Sequence, residues 1–382
     1  MSASSIAAAE MPWLTRLAAA ASADALRRNL RAQHPELAAP RRLAILGASD
    51  EGRRLAGLCE AQGIEIAAVA DDNPALEGAA LEGVPVRKVE ALAPLARDVP
   101  VVIASHRTLK ATRRLEAMGF AHAAPFALLQ TMDPERFPPH PFCAGWLEDL
   151  VENRRAYAAL ADALADDFSR RVLDAVLGYR MSGDPLLLEP VVEWELYGPA
   201  GLIDYGSDEV YLDGGSYDGD SIRLFIARVG GRYERILGFE PDPATFARLA
   251  ANFRGEPRVE PHPAGLWCRS TTLRFDGAAS RASGLSERQG TIEVPVTSID
   301  AVLDGARATY IKMNIEGAEQ EALRGAARTI ARWRPKLAIS AYHRAADLRE
   351  IPALVRRLEP SYRLYLRQHD GGLIETVLYA LP

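Results

Sequence analysis

The stretch from Glu209 to Ser221, EVYLDGGSYDGDS, constrains the fold more than any other part of this chain. An apolar run enters Asp213-Gly214-Gly215, and helix-forming sequence resumes at Asp220, so the segment reads as strand, tight turn and helix. A helix that leaves a strand so abruptly must pack on that strand's own sheet, and the next strand then runs parallel. The residues that follow supply that strand and more. RILGFEP, RVEPHPAGLW, TLRFDG, TIEVPVTSI, ATYIKMNIEG and KLAISAYH read as strands or strand plus loop. TFARLAANF, Glu319 to Trp333 and Ile351 to Leu358 read as helices. YRLYLRQHDGGLIETVLYALP reads as two strands joined around Asp370-Gly371-Gly372, a hairpin signal. Residues 205–382 are therefore expected to form an α/β domain whose last strand is antiparallel.

Three further regions precede it. Residues 1–38 read as an N-terminal helical segment. Residues 39–130 alternate as β-α-β and form a small Rossmann-like α/β domain. Residues 131–204 open with three prolines in TMDPERFPPH and continue as a helical connector. In it, Leu147, Leu150, Val151, Tyr157, Leu160, Leu164, Phe168, Val172 and Val176 form an apolar stripe from Trp146 to about Tyr179.

Composition narrows the class. With 382 residues, 48% of them hydrophobic and 25% charged, the chain suits two or three globular domains. A net charge of -6 argues against a general nucleic-acid binder. Cys59, Cys143 and Cys268 form no CxxC pair and no zinc-ligand spacing, which fits a reducing cytosol, and no metal is expected. Glu10, Pro12 and Arg16 interrupt the alanine-rich start, so it reads as an amphipathic helix rather than a signal peptide. No apolar run reaches membrane-spanning length, and a cytoplasmic protein is expected.

The chemistry converges on the C-terminal region. Gly215 and Gly219 let backbone approach a ligand without a Cβ in the way, and the N–H groups at the helix start can face a carboxylate. Asp213 or Asp218 can accept from an ammonium group. Glu240 follows 27 residues after Asp213, at the end of the next strand, where a carboxylate can accept from both ribose hydroxyls of a nucleoside. Together these features indicate an adenosine-containing ligand without separating S-adenosylmethionine (SAM) from NAD.

Several ordered motifs go further. YLDGGSYDGDS, GFEPDPATFARL, VPVTSID, IKMNIEGAEQEALRGA, YHRAADLREIP and ETVLYALP resemble the FkbM family of SAM-dependent methyltransferases, over about residues 205 to 382. The resemblance implies a class I SAM methyltransferase sheet, with Asp213, Gly214, Gly215, Ser216, Tyr217, Asp218, Gly219, Ser221, Glu240, Pro241, Asp242 and Gly265 around the cofactor. It also implies methyl transfer to an oxygen of a small molecule: a sugar, a nucleotide-sugar or a polysaccharide precursor. A hydroxyl acceptor has to lose its proton. His343, past the KLAIS strand, is the first candidate base, and Lys312, Asn314, Glu316 and Glu319 are candidates to line the acceptor site. In one place the chain departs from the family pattern Lys-Ile-Asp-Val-Glu-Gly: Asn314 stands where the aspartate would be, and an amide is no base.

The front domain carries Gly47-Ala48-Ser49-Asp50-Glu51-Gly52, a degenerate GxGxxG, with Asp71 and Asp72 at the end of the next strand. Gly47, Ser49, Gly52, Asp71 and Asp72 form a candidate second nucleotide site, and the domain resembles those at the front of some bacterial sugar-modifying enzymes. Ser49 places a Cβ where a pyrophosphate would approach. Two alternatives stay open: a non-catalytic SAM- or nucleotide-sugar-binding module, and an NAD-dependent sugar-modifying enzyme using residues 40–130. A homodimer is compatible with either.

Overall fold

The structure is a computed structural model that describes residues 10–95, 97–275 and 292–382. The ends of two expected strands, Asp276-Gly277 and Thr291, lie outside the described residues, as do residues 1–9 of the N-terminal segment. The chain forms two compact units: Met1–Ala158 with Arg170–Val192 and Asp370–Ile374, and Ala159–Ser169 with Glu193–His369 and Glu375–Pro382.

In the first unit, β1 (Arg42–Leu46), β2 (Glu65–Ala70), β3 (Ala80–Leu81), β4 (Val84–Arg87), β5 (Val101–Ile103) and β6 (Ala123–Pro125) form one sheet in the order β3-β4-β2-β1-β5-β6. All pairings are parallel except β3 with β4. The helix Asp50–Ala61 starts three residues earlier than Arg53, where the sequence placed it. Ala44, Leu46, Ala70, Val101, Ile103, Leu115 and Phe120 make a core of aliphatic and aromatic side chains. The loop Asp370–Ile374 completes this unit: Gly371 O accepts from Thr108 N and Leu109 N. A Cβ on Gly372 would stand 1.7 Å from His106 O, so the two glycines serve close packing as well as the turn.

In the second unit, β7 (Val210–Gly214), β8 (Arg235–Phe239), β9 (Val259–His262), β13 (Tyr310–Met313), β14 (Lys336–Ser340), β15 (Arg363–Gln368) and β16 (Thr376–Leu381) form a seven-stranded sheet in the order β15-β16-β14-β13-β7-β8-β9. Only β16 runs antiparallel to its neighbours, as the hairpin signal implied. Between β9 and β13, β10 (Gly265–Leu266), β11 (Thr271–Phe275) and β12 (Ile292–Thr297) form a separate three-stranded sheet. Every residue of β7 is buried, as a central parallel strand covered on both faces requires. Tyr211 stacks on Phe225 and Tyr310, with ring centroids 4.4 and 5.1 Å away, under the sheet's core.

Two helices expected to be continuous are broken. The connector divides into Trp146–Glu152, Arg154–Ala163 and Asp167–Ser182. The second break falls where Leu164 bridges Leu364 and Ala165 N donates to Leu364 O. The helix after β13 divides into Glu319–Arg324 and Ala327–Trp333 at Gly325, where a Cβ would meet Trp267 O at 2.1 Å. Among the described residues, no helix is long and apolar enough to cross a membrane.

Candidate functional site

The site is built at the C-terminal ends of β7, β8, β13 and β14, where open α/β sheets bind ligands. β7 ends in the turn Gly215–Gly219, and the helix Asp220–Arg228 follows. Gly215 has φ +73°, and a Cβ there would lie 2.0 Å from Asn314 O. Gly219 has φ +91°, and its Cβ would strike the Phe253 ring at 2.2 Å. Both glycines are thus demanded by packing within the domain, not by ligand approach alone.

The N–H groups of Gly215, Ser216, Tyr217 and Gly219 are committed internally. Gly215 N and Ser216 N both donate to Phe239 O, and Gly219 N donates to Ser216 O. Tyr217 N donates to Glu240 Oε2 at 3.0 Å, and Asp242 N donates to Glu240 Oε1 at 3.0 Å. These four N–H groups therefore do not wait for a carboxylate ligand. What the turn holds instead is the Glu240 carboxylate, fixed at the edge of β8 with one N–H on each oxygen. Burial pushes the Glu240 carboxyl above its usual range, against the pull of those two N–H groups. Pro241 and Asp242 lead into the helix Pro243–Asn252, and Asp242 caps it by accepting from Thr245 N. Tyr217 stands 42% exposed beside Glu240, in the left-handed region at φ +50°. A non-glycine residue held there is a common companion of function.

Asp213 and Asp218 are both engaged by partners within the protein. Asp213 is fully buried below the turn: its Oδ1 takes Lys312 Nζ at 2.8 Å and its Oδ2 takes the Ser221 hydroxyl. Lys312 is only 2% exposed, and its ammonium also donates to Gly214 O and Gly215 O at 3.1 and 2.9 Å. All three protons are used, which is what allows a lysine to be buried here. Lys312 is therefore a positioning residue that ties the glycine turn to β13, not a lining of the acceptor site. Asp218 pairs with Arg223. Ser216 donates to Asp213 O. Gly265 opens β10 and belongs to the small sheet rather than to the edge that carries Glu240.

Asn314, the departure from the family pattern, has a specific partner set. Its Nδ2 donates to Tyr197 OH at 2.8 Å and its Oδ1 accepts from Tyr342 OH at 3.2 Å. An amide offers a donor and an acceptor at once, so asparagine bridges two buried phenols that a carboxylate could only accept from.

His343 is buried just beyond β14. Its Nδ1 lies 3.0 Å from Glu319 Oε1, and its Nε2 lies 3.9 Å from Glu316 Oε2. Burial alone would lower its pKa, but Glu319 and Glu316 outweigh that and raise it to about 9. A ring held protonated by these carboxylates has no free lone pair with which to accept a proton, which weighs against His343 as the general base while it is paired with Glu319. Glu316 is the more accessible carboxylate: its side chain is 41% exposed, and its backbone sits at φ +55°. Glu319, His343 and Asp347 also bring ligand atoms within 4.8 Å of one another, a constellation hidden in sequence because its members come from three different elements.

The sequence family described as the methyltransferase FkbM domain matches residues 213–364, a span that begins at Asp213 and includes Glu240, Lys312 and His343. The chain carries an FkbM methyltransferase domain. The FkbM methyltransferase of Methylobacillus flagellatus KT is similar over 97% of this chain and 98% of its own, at 27% identity and a TM-score of 0.75. Fibrillarin of Aeropyrum pernix, solved with natively bound SAM, overlaps 47% of this chain and 70% of its own at 12% identity and a TM-score of 0.31. No curated protein matches the sequence significantly.

Within the second unit, sequence reading missed Tyr197, Tyr342 and Glu375. Tyr197 lies in a stretch assigned to the connector, yet its hydroxyl meets Asn314, its carbonyl accepts from Tyr310 OH, and Lys312 Nζ stands 5.1 Å from its ring centroid. Glu375, at φ +64°, raises the pKa of both Tyr197 and Tyr342 further, beyond the effect of burial. Nothing in the local pattern marks these residues, because register, not spacing, assembles them.

The candidate second site in the first unit has a different character. Asp71 Oδ2 accepts from Ala48 N at 2.7 Å and its Oδ1 from Asn73 N at 2.8 Å. Gly52 packs against Gly47 O, where a Cβ would come within 2.0 Å. Ser49 occupies the N-cap position without capping, and Asp50 and Glu51 fill the first helical turn with negative charge. Asp72 pairs with Arg114. A helix start bearing two carboxylates repels phosphate.

Proposed function

We propose that the FkbM domain is a SAM-dependent O-methyltransferase whose acceptor is a sugar or related small hydroxylated molecule, nucleotide-linked or a polysaccharide precursor, in the cytoplasm. The observation that supports this best is the Glu240 carboxylate. Each oxygen is held by one backbone N–H, and each keeps acceptor capacity, so the group is preorganised for the two vicinal hydroxyls of a ribose. The residues present suit such a nucleoside: a fixed bidentate acid at the end of β8, an exposed aromatic ring at Tyr217 beside it, and a turn locked by Lys312 and Asp213.

When bound, the sulfonium supplies an already activated methyl group. The chain's own contribution is to orient the acceptor, exclude water and hold a proton. Glu316, more exposed than Glu319, is the carboxylate we assign to take a proton from an acceptor hydroxyl. Asn314, Tyr197 and Tyr342 form a neutral hydrogen-bonded cluster at the end of β13 that adds no charge to the site. Transfer of labelled methyl from SAM to a panel of sugars and nucleotide-sugars tests this reading. Label should appear in at least one hydroxylated acceptor and fall by about tenfold or more in Glu316→Gln. SAM binding with no transfer to any acceptor would favour a binding module instead.

A further inference from the structure

Glu319, His343 and Asp347 converge from the helix Glu319–Arg324, the segment after β14 and the helix Asp347–Leu358. All three are buried, at 0%, 2% and 1% exposure. We propose that they bind a divalent transition-metal ion, of the class of Mn²⁺ or Zn²⁺, which displaces to solvent the proton that His343 Nδ1 otherwise shares with Glu319 Oε1. Binding as such does not depend on the methyl-transfer reading.

Four observations carry the site. Glu319 Oε1 and His343 Nδ1 stand 3.0 Å apart. Two donor atoms at about 2.1 Å from one ion, and at right angles around it, are separated by that same distance. Next, Glu319 Oε2 is buried with no hydrogen-bond partner. A solvent-shielded carboxylate oxygen without a donor is costly unless a cation meets it. The sheltering groups also orient the ligands: Ile315 N donates to Glu319 Oε1 at 2.8 Å, Gln320 Nε2 to Asp347 Oδ1 at 3.1 Å, and Arg344 N to Asp347 Oδ2 at 2.9 Å. Each of these oxygens retains a lone pair for a metal. Finally, the carboxylates of Glu319, Asp347 and Glu316 surround a single imidazole, with the Arg344 side chain near Gly317.

One nitrogen and two carboxylate ligands suit a borderline ion better than Ca²⁺, which takes six to eight oxygens. Three protein ligands leave coordination positions open, and Glu316 Oε2, 3.9 Å from His343 Nε2, is the nearest further carboxylate.

The test uses the full chain stripped with chelator and titrated with Mn²⁺ alone, read by the loss of the free-ion electron paramagnetic resonance signal. One ion per chain is expected to bind saturably, and Glu319→Gln and Asp347→Asn should each weaken binding by about 10- to 100-fold. Should either variant fail to fold, paramagnetic broadening of the His343 ring resonances in the unsubstituted chain gives the same answer. Absence of saturable binding of Mn²⁺, Co²⁺ or Zn²⁺ at about millimolar ion would overturn the proposal. So would binding that leaves His343 sharp or survives both substitutions. SAM titrated separately reports on the donor, so failure of one reading is distinguishable from failure of the other.

Discussion

The two units solve one structural problem with the same backbone device and opposite side chains. In each, the first strand ends in a positive-φ glycine whose N–H donates to the end of the next strand: Gly47 to Ala70 O, and Gly215 to Phe239 O. In each, an acid after that second strand accepts from the turn and from the residue two positions on, through Asp71 in one unit and Glu240 in the other. Below the turn they diverge. The cross-strand neighbours are Ile45 and Val102 in the first unit, and Asp213 and Lys312 in the second. An apolar pair suffices to build the turn. The buried ion pair is therefore better explained by function than by folding, since a well-packed apolar pair is often as stable or more so.

That contrast can be broken most severely at Lys312. Lys312→Met leaves Asp213 buried without its partner and should cost about 3–5 kcal/mol in denaturant unfolding. The double change Asp213→Ile with Lys312→Val copies the first unit. It should recover most of that stability while SAM affinity stays lost. Recovery of SAM binding in the double variant would mean that the pair has no positioning role.

Acid and alkali should separate the units next. His140 in the first unit has its pKa lowered to about 4, chiefly by burial. The unfolded state then binds the extra proton first, so stability is lost as pH falls from about 6.5 towards 4, by at most about 3 kcal/mol. His343 in the second unit is raised, to about 9. Its contribution is complete below about 6.5 and is lost as pH rises through about 9. Hydrogen exchange at pH 4.5 should loosen β1 and β5, and His140→Gln should flatten that dependence. At pH 9.5 the loosening should move to the segment around β14.

The two acids come third. Asp71→Asn and Glu240→Gln each replace one accepting oxygen by a donor facing a backbone N–H, at about 1–3 kcal/mol. Only Glu240→Gln should weaken SAM binding. Equal effects on ligand affinity would place a nucleoside in both units. The smallest effect is expected at Asn314. Asn314→Asp exchanges the amide donor for an oxygen beside Tyr197 OH, which can rotate to donate, so stability should change by about 1 kcal/mol. A rise in turnover would show that the departure from the family pattern limits catalysis.

Much of this was legible in the sequence, and the parts that were not share a cause. Alternating strand and helix patterns placed β7, β8, β13 and β14, and the Asp370-Gly371-Gly372 signal gave the final antiparallel pair, because periodicity is a local property. Glu240 was legible for the same reason: its distance from Asp213 is fixed by one strand-helix-strand unit. The partnership of Asp213 with Lys312, 99 positions away, depends on the register of β7 against β13. So does the meeting of Asn314 with Tyr197 and Tyr342. His343 illustrates the cost of that blindness. Its position past a strand end suggests a base, and only the structure brings Glu319 beside it, a neighbour that favours the protonated ring.

Isothermal titration of SAM into the intact chain and into Glu240→Ala tests the central claim most directly. One site per chain with Kd near about micromolar, weakened by about tenfold or more in the variant, is the result expected of a carboxylate that grips the donor's ribose. Heat that is absent at about millimolar SAM, or an affinity indifferent to Glu240, would contradict it.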